Sequence, residues 1–113
     1  MTTTRTGQSA ETAVANYLTS QGFSIIAQNW KTKVCEIDVI AKKNDIVYFV
    51  EVKYRLGGEQ GNGLEHITPQ KLNRIKFAVR VWCHSNNWGG DCRILGAEVS
   101  GLNYEDIELV EID

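Results

Sequence analysis

The stretch EIDVIAKKNDIVYFVEVK, residues 36–53, restricts the possible folds more than any other part of the chain. It reads as two strands around the polar turn Lys42-Lys43-Asn44-Asp45, because its β-branched and aromatic residues suit a pleated sheet. Ile37, Val39 and Ala41 alternate with Glu36, Asp38 and Ile40. Side chains switch faces at every residue of a strand, so Glu51 and Lys53 share one face and Val52 takes the other. With two or four residues in the loop, Asp38 joins the face of Glu51, where cross-strand neighbours sit roughly 4.5–8 Å apart. Two carboxylates and an ammonium then meet on one patch beside apolar, buried residues.

Carboxylates that close repel, and partial burial raises the cost. A divalent cation removes the conflict. Mg²⁺ (or Mn²⁺) takes hard oxygen ligands from one or two carboxylates plus water and phosphate, and can activate a water for attack on phosphorus. Lys53 would orient that water or offset developing negative charge. The plainer reading of Asp38, Glu51 and Lys53 is a solvated salt-bridge cluster on an exposed sheet face.

The pattern Asp38, twelve residues, then Glu51-Val52-Lys53 resembles the D-x(n)-[DE]-x-K signature of the restriction-endonuclease-like nucleases. The surrounding text is similar to the YraN-like family of uncharacterised bacterial proteins, itself similar to archaeal Holliday-junction resolvases. Glu11 with Tyr17-Leu18, Gly22, Asn29-Trp30-Lys31, residues 36–41, Val50 to Lys53 with Arg55, and Ile67 through Lys71 to Arg74-Ile75 carry that likeness. It implies an α/β fold, a mixed sheet flanked by helices in the order αβββαβ. It also implies a Mg²⁺-dependent endonuclease acting on DNA, branched or damaged DNA included, with RNA as an alternative substrate. Asp38, Glu51 and Lys53 match the catalytic positions; Glu11, Asp38 and Glu51 match the metal-binding ones. Arg55, Lys71 and Arg74 match basic positions near the site, which suit backbone phosphates. Junction cleavage would call for a homodimer, since two strands must be cut symmetrically. Three positions depart from the family pattern: Ala10 and Cys35 replace glycines, and Leu95 stands where an aspartate is usual. These departures support the alternative of an inactive nucleic-acid-binding or partner-binding module with the same fold.

At 113 residues the chain is one domain with a single core. No apolar run approaches the ~18 residues of a membrane span and the start lacks a signal-peptide pattern, so a cytoplasmic location is expected. Cys35, Cys83 and Cys92 form neither a C-x-x-C pair nor a zinc pattern and read as idle thiols. The net charge of −2 is unevenly spread: residues 1–90 hold eleven Lys and Arg against seven Asp and Glu, whereas residues 91–113 set Arg93 against seven acids. A mildly basic body with an acidic tail is compatible with binding DNA through one face.

Residues 1–5 read as a loose leader. From about Gly7, Ala10, Val14, Tyr17 and Leu18 trace one helical face that Gly22 ends, with Glu11 at its edge. Glu11 there is either a supporting metal ligand or a rim glutamate favoured by the helix dipole. Residues 23–29 alternate as a strand, and Trp30 reads as a core or edge filler, with a base-stacking platform as the alternative. Residues 56–67, rich in glycine and holding His66, are expected as a mobile loop. Thr68-Pro69 starts a helix running to about His84, with Leu72, Ile75, Val79 and Trp82 buried and Lys76 and Arg80 solvated. Residues 92–99 and 107–112 are expected as strands, the last a solvated edge.

Overall fold

A computed structural model describes residues 2–55 and 67–112, with side chains described from Ala10 onward. The expected glycine-rich loop, His66 included, lies outside the described residues except for Ile67. The elements run α1 (Thr2–Ser20), β1 (Ser24–Lys31), β2 (Glu36–Lys43), β3 (Ile46–Arg55), α2 (Pro69–Ser85), β4 (Asp91–Ser100) and β5 (Asp106–Ile112). The strands form one five-stranded sheet in sequential order. All neighbours are antiparallel except β3 and β4, which run parallel because α2 connects them. The α/β architecture is therefore a mixed sheet between two helices, extended by β5 beyond the expected αβββαβ core.

Each helix covers one face with the residues its periodicity selects. Ala10, Val14 and Leu18 of α1 pack on Val39, Ala41, Val50, Leu95, Ala97 and Val99. Ile75, Ala78 and Trp82 of α2 pack on Ile37, Ile40, Val47 and Phe49. Leu72 and Val79, expected on that buried stripe, are only half-buried; Ala78 replaces them where the helix approaches the sheet. Phe49 meets Trp82 edge to face, with ring centroids 5.6 Å apart.

Local signals set the ends of both helices. Gly22 adopts φ +97°, and the N–H groups of Gly22 and Phe23 return to the carbonyls of Thr19 and Leu18, closing α1 with the Schellman pattern. Thr68 caps α2, its hydroxyl accepting the Lys71 N–H at 3.1 Å, and Pro69 follows. At its other end α1 reaches back to Thr2, into the segment read as a loose leader. Nothing in Thr2 to Thr6 breaks a helix, and Gly7 costs only about 1 kcal/mol.

Two strand readings need correction. The β1 register shifts between Ile25 and Ala27, so Ile25 packs on the α1 side whereas Ala27 and Trp30 pack on the α2 side; the alternation expected over 23–29 is broken by a bulge. In β2, Ile37 lies on the α2 side while Val39 and Ala41 lie on the α1 side. The three residues do not share one face, because β2 turns over at Asp38.

Candidate active site

That turn of β2 creates the site. The hairpin uses a two-residue loop, Asn44-Asp45, with Lys43 opposite Ile46; both loop residues have positive φ, 53° and 65°, as a twisted type I′ turn requires. From this start the ladder runs to Val39 opposite Val50 and stops. One more step would place Asp38 directly across from Glu51. Instead the strands part, and the Asp38 Oδ2 accepts the Val52 N–H at 2.7 Å, filling the missing ladder bond with a carboxylate. Glu51 lies on the α2 side, where its Oε2 is 3.3 Å from Lys71 Nζ. Asp38 and Glu51 therefore stand at the same end of the sheet, but on either side of a split between strands rather than on one flat face, and Glu51 pairs with Lys71 rather than Lys53.

Glu11 joins from α1, half-buried, hydrogen-bonded to Asp38 and to the Asn29 side chain. Burial is the main force on this group. It pushes the Asp38 carboxyl up to about 7, against the lowering effect of the Val52 N–H, and the charges of Glu51, Glu11 and Glu36 push the same way. Burial raises Glu11 as well, with Glu36 and Glu51 adding to the effect. Asp38 and Glu11 are thus both raised, by burial first and then by the like charges around them, and their titrations are linked.

Beside this cluster, Gly96 is the β4 neighbour of Glu51 and puts no side chain against it. Lys53 is exposed two residues beyond Glu51, and Arg55 is half-buried at the end of β3. Of the three basic residues expected to meet phosphate, Lys71 pairs with Glu51, whereas Arg74 is exposed one turn along α2. Cys35 is half-buried in the turn before β2, where burial raises its thiol above the ordinary value. Leu95 fills the α1-side core next to Val50, well integrated as an apolar residue.

Sequence reasoning passed over Asn29 as a member of the cluster. It has φ 55° within β1, a left-handed conformation that asparagine tolerates, and this places its side chain against Glu11. The signal available was an asparagine in a strand otherwise rich in apolar residues. The other omission was a thiol pair far from the cluster: Cys83 and Cys92 Sγ atoms lie 3.2 Å apart, and burial together with Cys83 pushes Cys92 up to about 12.

The carboxylates offer hard oxygen donors with unbalanced negative charge, which is the chemistry Mg²⁺ or Mn²⁺ requires. Among the described residues, no three Asp, Glu, His or Cys side chains converge as a complete metal-binding group. The donor set fits an ion held by two protein carboxylates, with water or phosphate completing its shell.

Comparison with known proteins agrees over nearly the whole chain. A UPF0102 protein of Lachnoclostridium phytofermentans is 48% identical over 107 residues, covering 93% of this chain and 88% of the relative. Relatives of the same description in Pseudomonas putida and Tropheryma whipplei are 39% and 34% identical, covering 89% and 87% of the chain and 84% and 81% of their own lengths. The model of Uncharacterised protein family UPF0102 matches residues 10–111, a span that holds Glu11, Asp38, Glu51 and Lys53, and the chain belongs to that family.

Proposed function

We propose that this protein is a metal-dependent endonuclease that hydrolyses phosphodiester bonds in DNA, with branched or damaged DNA as its substrate class. One observation carries the reading: at a split between β2 and β3 Asp38 meets Glu11 of α1 and feels the charge of Glu51, and it is held up to about 7 by burial among these like charges. A sheet built only for stability closes such a gap with ladder bonds and apolar residues.

Asp38 and Glu51 would hold Mg²⁺ or Mn²⁺, with Glu11 supporting Asp38. The bound ion supplies charge neutralisation at the scissile phosphate and lowers the pKa of a water. The Val52 N–H fixes the Asp38 carboxylate, and Asn29 fixes Glu11. Lys53 would stabilise the developing negative charge, and Lys71, beside Glu51, would meet the backbone phosphates together with Arg74 and Arg55. Such a protein works in the cytoplasm, where its DNA is; no helix among the described residues is long and apolar enough to cross a membrane.

A second reading, a binding module without hydrolysis, draws on the Lys71–Glu51 pair at 3.3 Å, which already supplies positive charge to one of the two ligands. Incubation with labelled duplex, single-stranded, flap and four-way-junction DNA in Mg²⁺ or Mn²⁺ separates the two. Cleavage that needs metal and is lost in Asp38→Ala supports the nuclease. Intact DNA bound equally by both proteins supports the module.

A further inference from the structure

On the α2 side of the sheet lies an apolar groove of about 410 Å³ lined by Trp30, Lys31, Thr32, Lys33, Val34, Phe77 and Val81. That volume lies in the roughly 300–1,000 Å³ range of small-ligand sites. Its walls are built, not incidental. The Thr32 hydroxyl accepts the N–H groups of Val34 at 3.2 Å and Cys35 at 3.1 Å, and Thr32 N–H donates to the Cys35 carbonyl at 2.8 Å. This pins the turn so that Val34 projects outward, 49% exposed, while Phe77 opposite is 42% exposed.

The rim is cationic. Lys31 and Lys33 are exposed on the turn side; on the helix side Arg74 precedes Phe77 by about one turn, and the Arg80 guanidinium lies 6.0 Å from the Phe77 ring. Glu36, across from Lys31, is the acid closest to this rim in the strand register. A purely apolar protein segment has no use for four cations around its seat, and a second copy would have to bring its acidic β5 edge to them. A ligand with flat apolar rings and a charged phosphate backbone uses both features.

Trp30, which lines the groove, is close to Asp38 in the strand register. Trp30 pairs with Ile37 in the β1–β2 ladder, and Asp38 is the next residue. Strand spacing and rise place the Cα atoms of Trp30 and Asp38 roughly 6 Å apart.

We propose that this groove binds an unpaired nucleotide of the substrate strand, its base between Trp30 and Phe77 and its phosphates on Lys31, Lys33 and Arg74. The proposal rests on the nuclease reading and sharpens it: the preferred substrate carries unpaired bases beside the scissile bond, as a flap or frayed junction does, rather than uninterrupted duplex.

The test measures fluorescence anisotropy of a labelled oligothymidine and of an abasic strand of equal length, in EDTA so that hydrolysis plays no part. Wild type should bind oligothymidine more tightly than the abasic strand. Phe77→Ala and, independently, Val34→Glu should reduce that preference by roughly tenfold to a hundredfold, the factor one base stacked on an aromatic ring contributes, with abasic binding unchanged in Phe77→Ala. Lys33→Gln should weaken both strands alike and flatten the salt dependence. Both substituted apolar side chains are substantially exposed, so melting temperatures close to wild type should accompany the change. Equal affinity of wild type and Phe77→Ala for oligothymidine would overturn the groove. So would a concentration-dependent dimer dispersed by Phe77→Ala, which would give the surface to a second copy. Failure of wild type to bind either strand would also overturn it, while the nuclease reading would still stand or fall on metal-dependent cleavage.

Discussion

Asp38→Asn isolates the electrostatic conflict at the centre of the site. The amide oxygen can still accept the Val52 N–H, so the substitution removes charge while keeping the bond that replaces the ladder. In the folded protein Asp38 is raised from 3.8 to about 7. Between these values the folded state binds more protons than the unfolded state, so stability falls as pH rises through the interval and is level above it. At about 1.36 kcal/mol per pH unit the gap of about 3 units caps the loss near roughly 4 kcal/mol. With Glu11 linked to the same titration, and the partly exposed site admitting water, a loss on the order of 2 kcal/mol is expected.

Urea denaturation from about pH 4.5 to about pH 8 should therefore show wild type losing stability relative to Asp38→Asn, with the variant the more stable protein at the alkaline end. Millimolar Mg²⁺ or Mn²⁺ should restore wild type at about pH 8, by about 2.7 kcal/mol at a hundred times the dissociation constant, and leave the variant largely unmoved. Parallel stability curves for the two proteins across the whole range would refute the reasoning. They would mean that water or side-chain motion already relieves the buried charge.

Thr68→Ala removes the hydroxyl that accepts the Lys71 N–H and should cost about 1 kcal/mol in urea denaturation, with Thr68→Ser near wild type; equal stability of Thr68→Ala would show that the cap contributes nothing. The Cys83–Cys92 pair needs a closure of about 1 Å to reach bonding distance, so diamide should consume two of the three thiols, lowering the mass by two hydrogens and leaving Cys35 free. Because Cys92 is pushed up to about 12, the oxidation should accelerate as pH rises; three titratable thiols after treatment at alkaline pH would contradict the pairing.

The elements were legible in the sequence because each is marked by a local physical signal. Thr68-Pro69 satisfies the first N–H groups of α2, Gly22 tolerates the positive φ that ends α1, and Asn44-Asp45 accepts the two left-handed conformations of a tight hairpin. From that two-residue turn, parity alone brought Asp38 and Glu51 to the same end of the sheet. The acidic spacing of β5 likewise marked an edge, where Glu108 and Glu111 remain in water.

What the sequence determined by itself was therefore where the repeating elements run and that Asp38 and Glu51 stand at the same end of the sheet. Tertiary structure alone decided where the β2–β3 ladder ends, that Ile37 turns to α2 while Val39 turns to α1, and that Lys71 reaches Glu51. It also brought Cys83 within 3.2 Å of Cys92 and opened the groove between Val34 and Phe77. Periodicity records the average face of a strand or helix. A break in pairing, by contrast, depends on the competition between one carboxylate and one carbonyl for the Val52 N–H, and that competition is settled only when two helices and a parallel neighbour hold the strands in place.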